Sequence, residues 1–278
     1  MLGRLVRYNL RVVRTRHALV LTALAATSAF QLIDAYSVVQ YVGLSVERLG
    51  FADNIGLIFA GSAPFVARPG VMFVPPLGWM LLLMLHLYLT LGSSTWASHG
   101  FEQQALVSSG SRKTWFMAKV ISVTIECLLA SITVLAVAML WTAVYRQTFT
   151  LQINPLACSL AGASSETIRN APQNGTWFLV GAAMMPCLLS LAQLGLARFI
   201  RPVYAFLVMT TLLTISAYAQ QALLLGNYLM LARWSGLVVG GVSTAQGVAL
   251  TATVSLVCIL TSYARFSHSD ILGKEGVS

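Results

Sequence analysis

Three ionisable side chains, Asp34, His86 and Glu126, stand inside long apolar runs of the sequence. A charge or an imidazole in hydrocarbon is costly, so such groups are candidates for function wherever they occur. The chemistry open to them is limited. A carboxylate and an imidazole at one depth could hold two helices in register, could pass a proton, or could be unrelated polar groups facing a cavity or an interface. Glu126 lies seven residues after Lys119, ~10 Å along a helix, and His86 lies eight residues before Ser94, ~12 Å. The depths match if both are measured from one membrane face, and Gln193 would join them near the end of a third run. Asp34 sits toward the far end of its own run. There it is either a snorkelling carboxylate beside the headgroups or the lining of an outward cavity, with Gln220, Gln221 and Gln246 at similar depth.

The elements that must position these groups follow from composition. Of 278 residues, 57% are hydrophobic and 9% charged, where an ordinary soluble domain carries about 25% charged residues. The apolar runs have the length a helix needs to cross about 30 Å of hydrocarbon. Ten-residue alternating segments, the mark of a membrane barrel, are not apparent. The expected fold is therefore an all-α polytopic membrane protein, a single transmembrane domain of about six helices, at 18–42, 73–94, 115–145, 177–197, 202–225 and 242–263. Pro186 predicts a kink in the fourth.

An amphipathic interfacial helix is expected before them, over residues 1–16. Arg4, Arg7, Arg11 and Arg14 recur at spacings of 3, 4 and 3 and share one face, while Leu2, Val6, Leu10 and Val13 fall on the other. Such a helix lies on an anionic leaflet of membrane lipid. A signal peptide is the competing reading, but the apolar run continues to Val42. With six spans both termini share a side. A cytoplasmic N-terminus puts Arg4, Arg7, Arg11, Arg14, Arg16, Arg112, Lys113, Lys119, Arg198, Arg201, Arg265 and Lys274 inside, twelve of the 17 basic residues. The positive-inside rule favours that orientation, in a cell membrane of bacterial inner-membrane type.

Several chemistries are missing. The sequence has no G-x-x-x-x-G-K-[ST] loop, no H-E-x-x-H, no G-x-S-x-G and no C-x-x-C. Energy, if needed, must come from elsewhere. Cys127, Cys158, Cys187 and Cys258 lack metal-ligand spacing; three lie in apolar runs and Cys158 in an expected loop. The net charge of +9 is scattered among loops, which fits membrane orientation and not nucleic acid. Trp79, Trp96, Trp115 and Trp177 fall near expected span ends, as interface belts do. Asn174-Gly175-Thr176 matches a glycosylation sequon by three residues only.

Between the second and third runs stands GFEQQALVSSGSRKTWFMAK, residues 100–119. Phe101, Ala105 and Leu106 can form one apolar face of a short helix, with Glu102 beside them. Ser108, Ser109, Gly110 and Ser111 supply a turn, and Arg112, Lys113 and Lys119 anchor the next helix at the inner leaflet. An amphipathic helix of this kind is suited to lie in a partner's groove.

This stretch, with the basic amphipathic start, resembles the permease subunits of type-2 ABC exporters, the ABC-2 family. The resemblance covers nearly the whole chain in layout and about 20 residues in motif. It implies a connecting helix, six membrane helices and a coupling helix, here 99–111, that docks on an ABC ATPase subunit through Phe101, Glu102, Ala105, Leu106, Arg112 and Lys113. It also implies a second permease chain as homodimer or heterodimer partner, and export of a lipid, glycan, antibiotic or peptide. The chain itself would be no enzyme and hold no cofactor; ATP and Mg would sit in the partner ATPase. The same features leave open a non-transporting scaffold or sensor that recruits a cytoplasmic partner.

Overall fold

The longest element is a helix of 33 residues, Arg112–Val144, ~50 Å end to end. The computed structural model describes residues 2–12, 14–67, 69–70, 72–93 and 111–268. The described α-helices are α1 (Leu2–Val12), α2 (Arg14–Tyr41), α3 (Phe51–Ile58), α4 (Leu77–Leu91), α5 (Arg112–Val144), α6 (Pro155–Leu160), α7 (Thr176–Leu196), α8 (Pro202–Tyr218) and α9 (Thr244–His268). A two-residue ribbon, β1 (Gln152–Ile153) antiparallel to β2 (Gln173–Asn174), closes the connection from α5 to α7. Among the described residues four helices are long and apolar enough to cross a membrane: α2 from Thr15, α5, α7 and α9. The all-α expectation holds at that level.

Helices α4 and α8 are apolar but shorter, with 15 and 17 residues. At 1.5 Å per residue they reach about 23 and 26 Å. The apolar runs alone predict spans of 73–94 and 202–225. Backbone rearrangement explains both differences. Pro75 and Pro76 hold the approach to α4 out of the helix, and the carbonyls at the end of α8 are taken by Arg233, described below.

Packing between α7 and α9 is the most extensive among the described helices. A Cβ on Gly195 would stand 2.6 Å from the backbone C and O of Cys258, so the helices touch main chain to main chain. Ser255 Oγ donates across the same seam to the Leu188 carbonyl at 2.5 Å. Pro186 lies inside α7, which runs unbroken through it, and Ser131 of α5 donates to the nearby Ala183 carbonyl at 2.9 Å. Such a hydroxyl supports the backbone where the proline weakens the helical ladder.

The 43–72 connection, read from the sequence as a long loop, contains α3, whose residues from Ala52 to Ile58 are all buried. Cys158, expected in a loop, lies on α6 and is fully buried, with its thiol toward the Leu231 carbonyl at 3.7 Å. Burial pushes that thiol up to about 12. The segment Leu225–Arg233 is also buried throughout, as two short 3-10 turns. It joins the 3-10 turns to the end of α3 through Leu231 N–H to Phe59 O at 2.9 Å and Ala232 N–H to Ala60 O at 3.0 Å. Trp79 is not an interface belt: it is buried and donates to the Leu229 carbonyl at 3.0 Å. Trp115 is buried too, stacked on Phe266 with centroids 5.3 Å apart. Trp177 is exposed, as a belt residue would be, and Trp96 lies outside the described residues. Asn174 accepts from Thr176 N–H and Oγ at 3.0 and 2.6 Å, so the sequon residues form the turn that starts α7.

Candidate functional site, a buried carboxylate where three helices meet

The two ends of the bundle handle their polar groups differently. At one end Arg233, with no exposed surface, is surrounded by oxygen acceptors. Its guanidinium donates to the carbonyls of Ser62, Ser216 and Ala217 at 2.7 Å each, to Ala219 at 3.1 Å, to Ala63 at 3.3 Å and to Asn227 Oδ1. Three of those carbonyls close the C-terminus of α8, where a cation is favoured by the helix dipole and the last carbonyls lack helical partners. Burial pulls this group down to about 10, which leaves it charged at neutral pH. Nearby, Asp53 accepts from Gly50 N–H at 2.8 Å and from Asn154 N–H and Nδ2 at 2.7 and 2.6 Å. Asn54, Tyr36, Thr142 and Gln147 close a further network, with Tyr36 Oη to Asn54 Oδ1 at 2.6 Å and Asn54 Nδ2 to Thr142 Oγ1 at 2.9 Å. These charged and amide groups are satisfied inside the protein.

The other end centres on Glu126. Its side chain is buried on α5, and Oε1 accepts from Ser93 Oγ, two residues beyond α4, at 2.5 Å. His17 of α2 approaches the same oxygen at 3.5 Å through Nε2, close enough for an ion pair but not aligned as a hydrogen bond. Glu126 Oε2 has no hydrogen-bond partner among the described residues. Helices α2, α4 and α5 therefore converge on one carboxylate. Arg16, beside His17, donates to the Leu89 carbonyl at 3.0 Å and closes the end of α4. Its guanidinium fills the place where a side chain on Gly92 would go.

His86 and Gln193 lie in the same half but hold other groups. His86 Nδ1 meets its own helix at the Leu82 carbonyl, 2.9 Å away, and since a carbonyl only accepts, Nδ1 carries the proton. Its Nε2 is buried without a partner. Gln193 Nε2 donates to the Leu87 carbonyl at 3.1 Å, joining α7 to α4, and its Oε1 is also unpartnered. The expected His86 to Glu126 contact does not form: Glu126 takes Ser93 and His17 instead. Neither Ser93 nor His17 stands among the candidates that the sequence offers: a serine near the end of an apolar run and a histidine just before one carry no local signal. Cys127, next to Glu126, is buried in one apolar cluster with Cys187 of α7. Asp34 is at the opposite half, exposed on α2. It lines a cleft of about 190 Å³ with Gln31 and Trp79, and Gln220, Gln221 and Gln246 are not part of that lining.

Basic side chains gather around the Glu126 end. Arg4, Arg7 and Arg11 are exposed along α1, which packs on α5 through Asn9 Nδ2 to Ser122 Oγ at 3.3 Å. The side chain of Arg14 lies outside the described residues. Arg112 Nη1 donates to the Ser267 carbonyl at 2.7 Å, fastening the start of α5 to the end of α9, and Lys113 follows it, exposed. Lys119 lies over Trp115 at 5.3 Å, and Arg198 over Phe266 at 5.5 Å. Among the described residues Glu126 is the one acidic side chain at this end. Phe101, Glu102, Ala105 and Leu106, with most of the 99–111 coupling segment, lie outside the described residues. Among the described residues no three His, Cys, Asp or Glu side chains gather as a metal site. Comparison with protein-family models, curated proteins and solved structures returned no match to this chain.

Proposed function

We propose that this chain is the membrane permease subunit of an ATP-driven exporter of the ABC-2 type. In this reading α2, α4, α5, α7, α8 and α9 are its six spans, the Glu126 end faces the cytoplasm in the cell membrane, and the cargo is a lipid, glycan, antibiotic or peptide. A separate ABC ATPase docks on the coupling segment 99–111, with Arg112 and Lys113 at its edge, and a second permease chain completes the pathway. ATP and Mg are held by the ATPase.

The observation that carries the reading is the Ser93 to Glu126 hydrogen bond at 2.5 Å. Ser93 is the last described residue before the 94–110 connection. Force applied to that connection by an ATPase reaches the body of α5 through this bond, and reaches α2 through His17. Helix ends joined by one polar node move together or separate together, which is what a mechanical coupling requires. The concentration of basic side chains at the same end supports the orientation. The satisfied networks around Arg233, Asp53 and Asn54 support a static opposite end.

Two experiments test this. The full chain, purified in detergent with a candidate P-loop ATPase encoded beside its gene, is expected to hold that ATPase. Charge reversal at Arg112 and Lys113 together with Phe101→Ala is expected to release it. An intact complex in that variant would overturn the docking assignment. In vesicles, Ser93→Ala is expected to leave the ATPase bound while lowering transport per ATP hydrolysed; an unchanged ratio removes the coupling role.

A further inference from the structure

Helix α1 packs on α5 but leaves its own apolar side chains incompletely covered. Its apolar side chains Val6 and Leu10 are only half-buried, and Leu2 is 37% exposed. Between α1, α2 and α5 runs a groove of about 760 Å³, walled by Leu2, Val6, Leu10, Leu21, Ile121 and Leu129. That volume is in the range of small-molecule sites. Left to water, its apolar walls would lose the contacts that packed interiors make. Arg7 and Arg11 also line it, one helical turn apart on α1 and both exposed. No carboxylate pairs with either among the described residues, and α1 itself carries no acid.

We propose that this groove holds one anionic phospholipid, with an acyl chain along the apolar walls and its phosphate between Arg7 and Arg11. The assignment rests on the membrane-surface placement of α1 given above, not on transport. Side chains at i and i+4 leave one helix face with Cβ atoms ~6 Å apart, and two guanidinium groups so placed present several N–H donors to phosphate oxygens. A zwitterionic lipid fills the same apolar space but brings a quaternary ammonium to a cationic rim, so charge selects the anionic one. Arg4 has the same charge and exposure on the same helix but does not line the groove. It therefore separates a built site from general attraction to an acidic surface.

Native mass spectrometry of the detergent-purified full chain, given equimolar phosphatidylglycerol and phosphatidylcholine, reads the ratio of retained lipids. This ratio does not depend on the yield of folded protein. Phosphatidylglycerol is expected to be retained in preference, at one per chain. Arg7→Gln with Arg11→Gln is expected to lower that preference about 30-fold, and Arg4→Gln less than about threefold. Gly3 lines the groove and a side chain there meets nothing within 4 Å. Gly3→Trp is therefore expected to fold and to displace both lipids. An equal loss in Arg4→Gln, an unchanged ratio in the double variant, full lipid retention in Gly3→Trp, or a second chain occupying the groove would each overturn the proposal. Failure of an ATPase to copurify would sink the transporter reading and leave this lipid ratio unchanged.

Discussion

Ser93 and Glu126, 33 positions apart, are joined by a 2.5 Å hydrogen bond that ties the end of α4 to α5. The serine is the one hydrogen-bond donor the carboxylate has among the described residues, apart from the less aligned His17 at 3.5 Å. A hydrogen bond to a charged group contributes about 1.5–3 kcal/mol. Ser93→Ala is expected to destabilise by that order, read as a lower midpoint of thermal unfolding in detergent. Glu126→Gln keeps an acceptor for Ser93 and should cost less. A larger loss in Glu126→Gln than in Ser93→Ala would assign the node to His17.

Arg233 is expected to be the most sensitive single position at the opposite end. Its removal leaves the carbonyls of Ser216 and Ala217 buried beside an uncovered helix end. Each buried acceptor left without a donor costs about 1–3 kcal/mol, so the two carbonyls together cost about 2–6 kcal/mol. Arg233→Met should therefore fall in that range, and Arg233→Lys should rescue little, because a point ammonium does not reproduce the planar fork. Limited proteolysis within 219–234 reports the same loss locally.

Asp53 gives a pH dependence with a definite sign. Burial, the larger effect, holds its carboxyl above the ordinary 3.8 against the Asn154 and Gly50 donors that favour its charged form. The native state thus binds the proton more tightly than the unfolded chain. Ionised Asp53 carries a stability cost at neutral pH, relieved as pH falls through the native pKa and fully relieved below about 3.8. The unfolding midpoint of the wild type relative to Asp53→Asn should rise on acidification from pH 7. A difference that stays flat or falls refutes it.

Gly195 admits no side chain without moving main chain, since a Cβ would stand 2.6 Å from Cys258 C and O. Gly195→Ala is expected to cost about 1–3 kcal/mol by overpacking, seen as a lowered unfolding midpoint. Gly3→Ala, with open space around it, should change stability far less.

Much of this protein is written in local pattern. Apolar runs of spanning length predict α2, α5, α7 and α9, because a helix in hydrocarbon needs little besides length and apolar character. The 3, 4, 3 spacing of Arg4, Arg7, Arg11 and Arg14 predicts the amphipathic start. Glu126 is legible as a candidate because an isolated acid in an apolar run is rare.

Its partners are not legible in that way. Ser93 and His17 become a site only when α2, α4 and α5 converge, and no spacing along the chain encodes that meeting. Local sequence also extends α8 to Leu225, since nothing before Gly226 forbids a helix. The tertiary structure ends it at Tyr218, where Arg233 competes for the carbonyls of Ser216 and Ala217. Sequence by itself determined which segments are apolar, which face of α1 is basic and where single charges interrupt the runs. Only the tertiary structure decided which buried charges are satisfied, because that depends on acceptors and donors brought from distant segments.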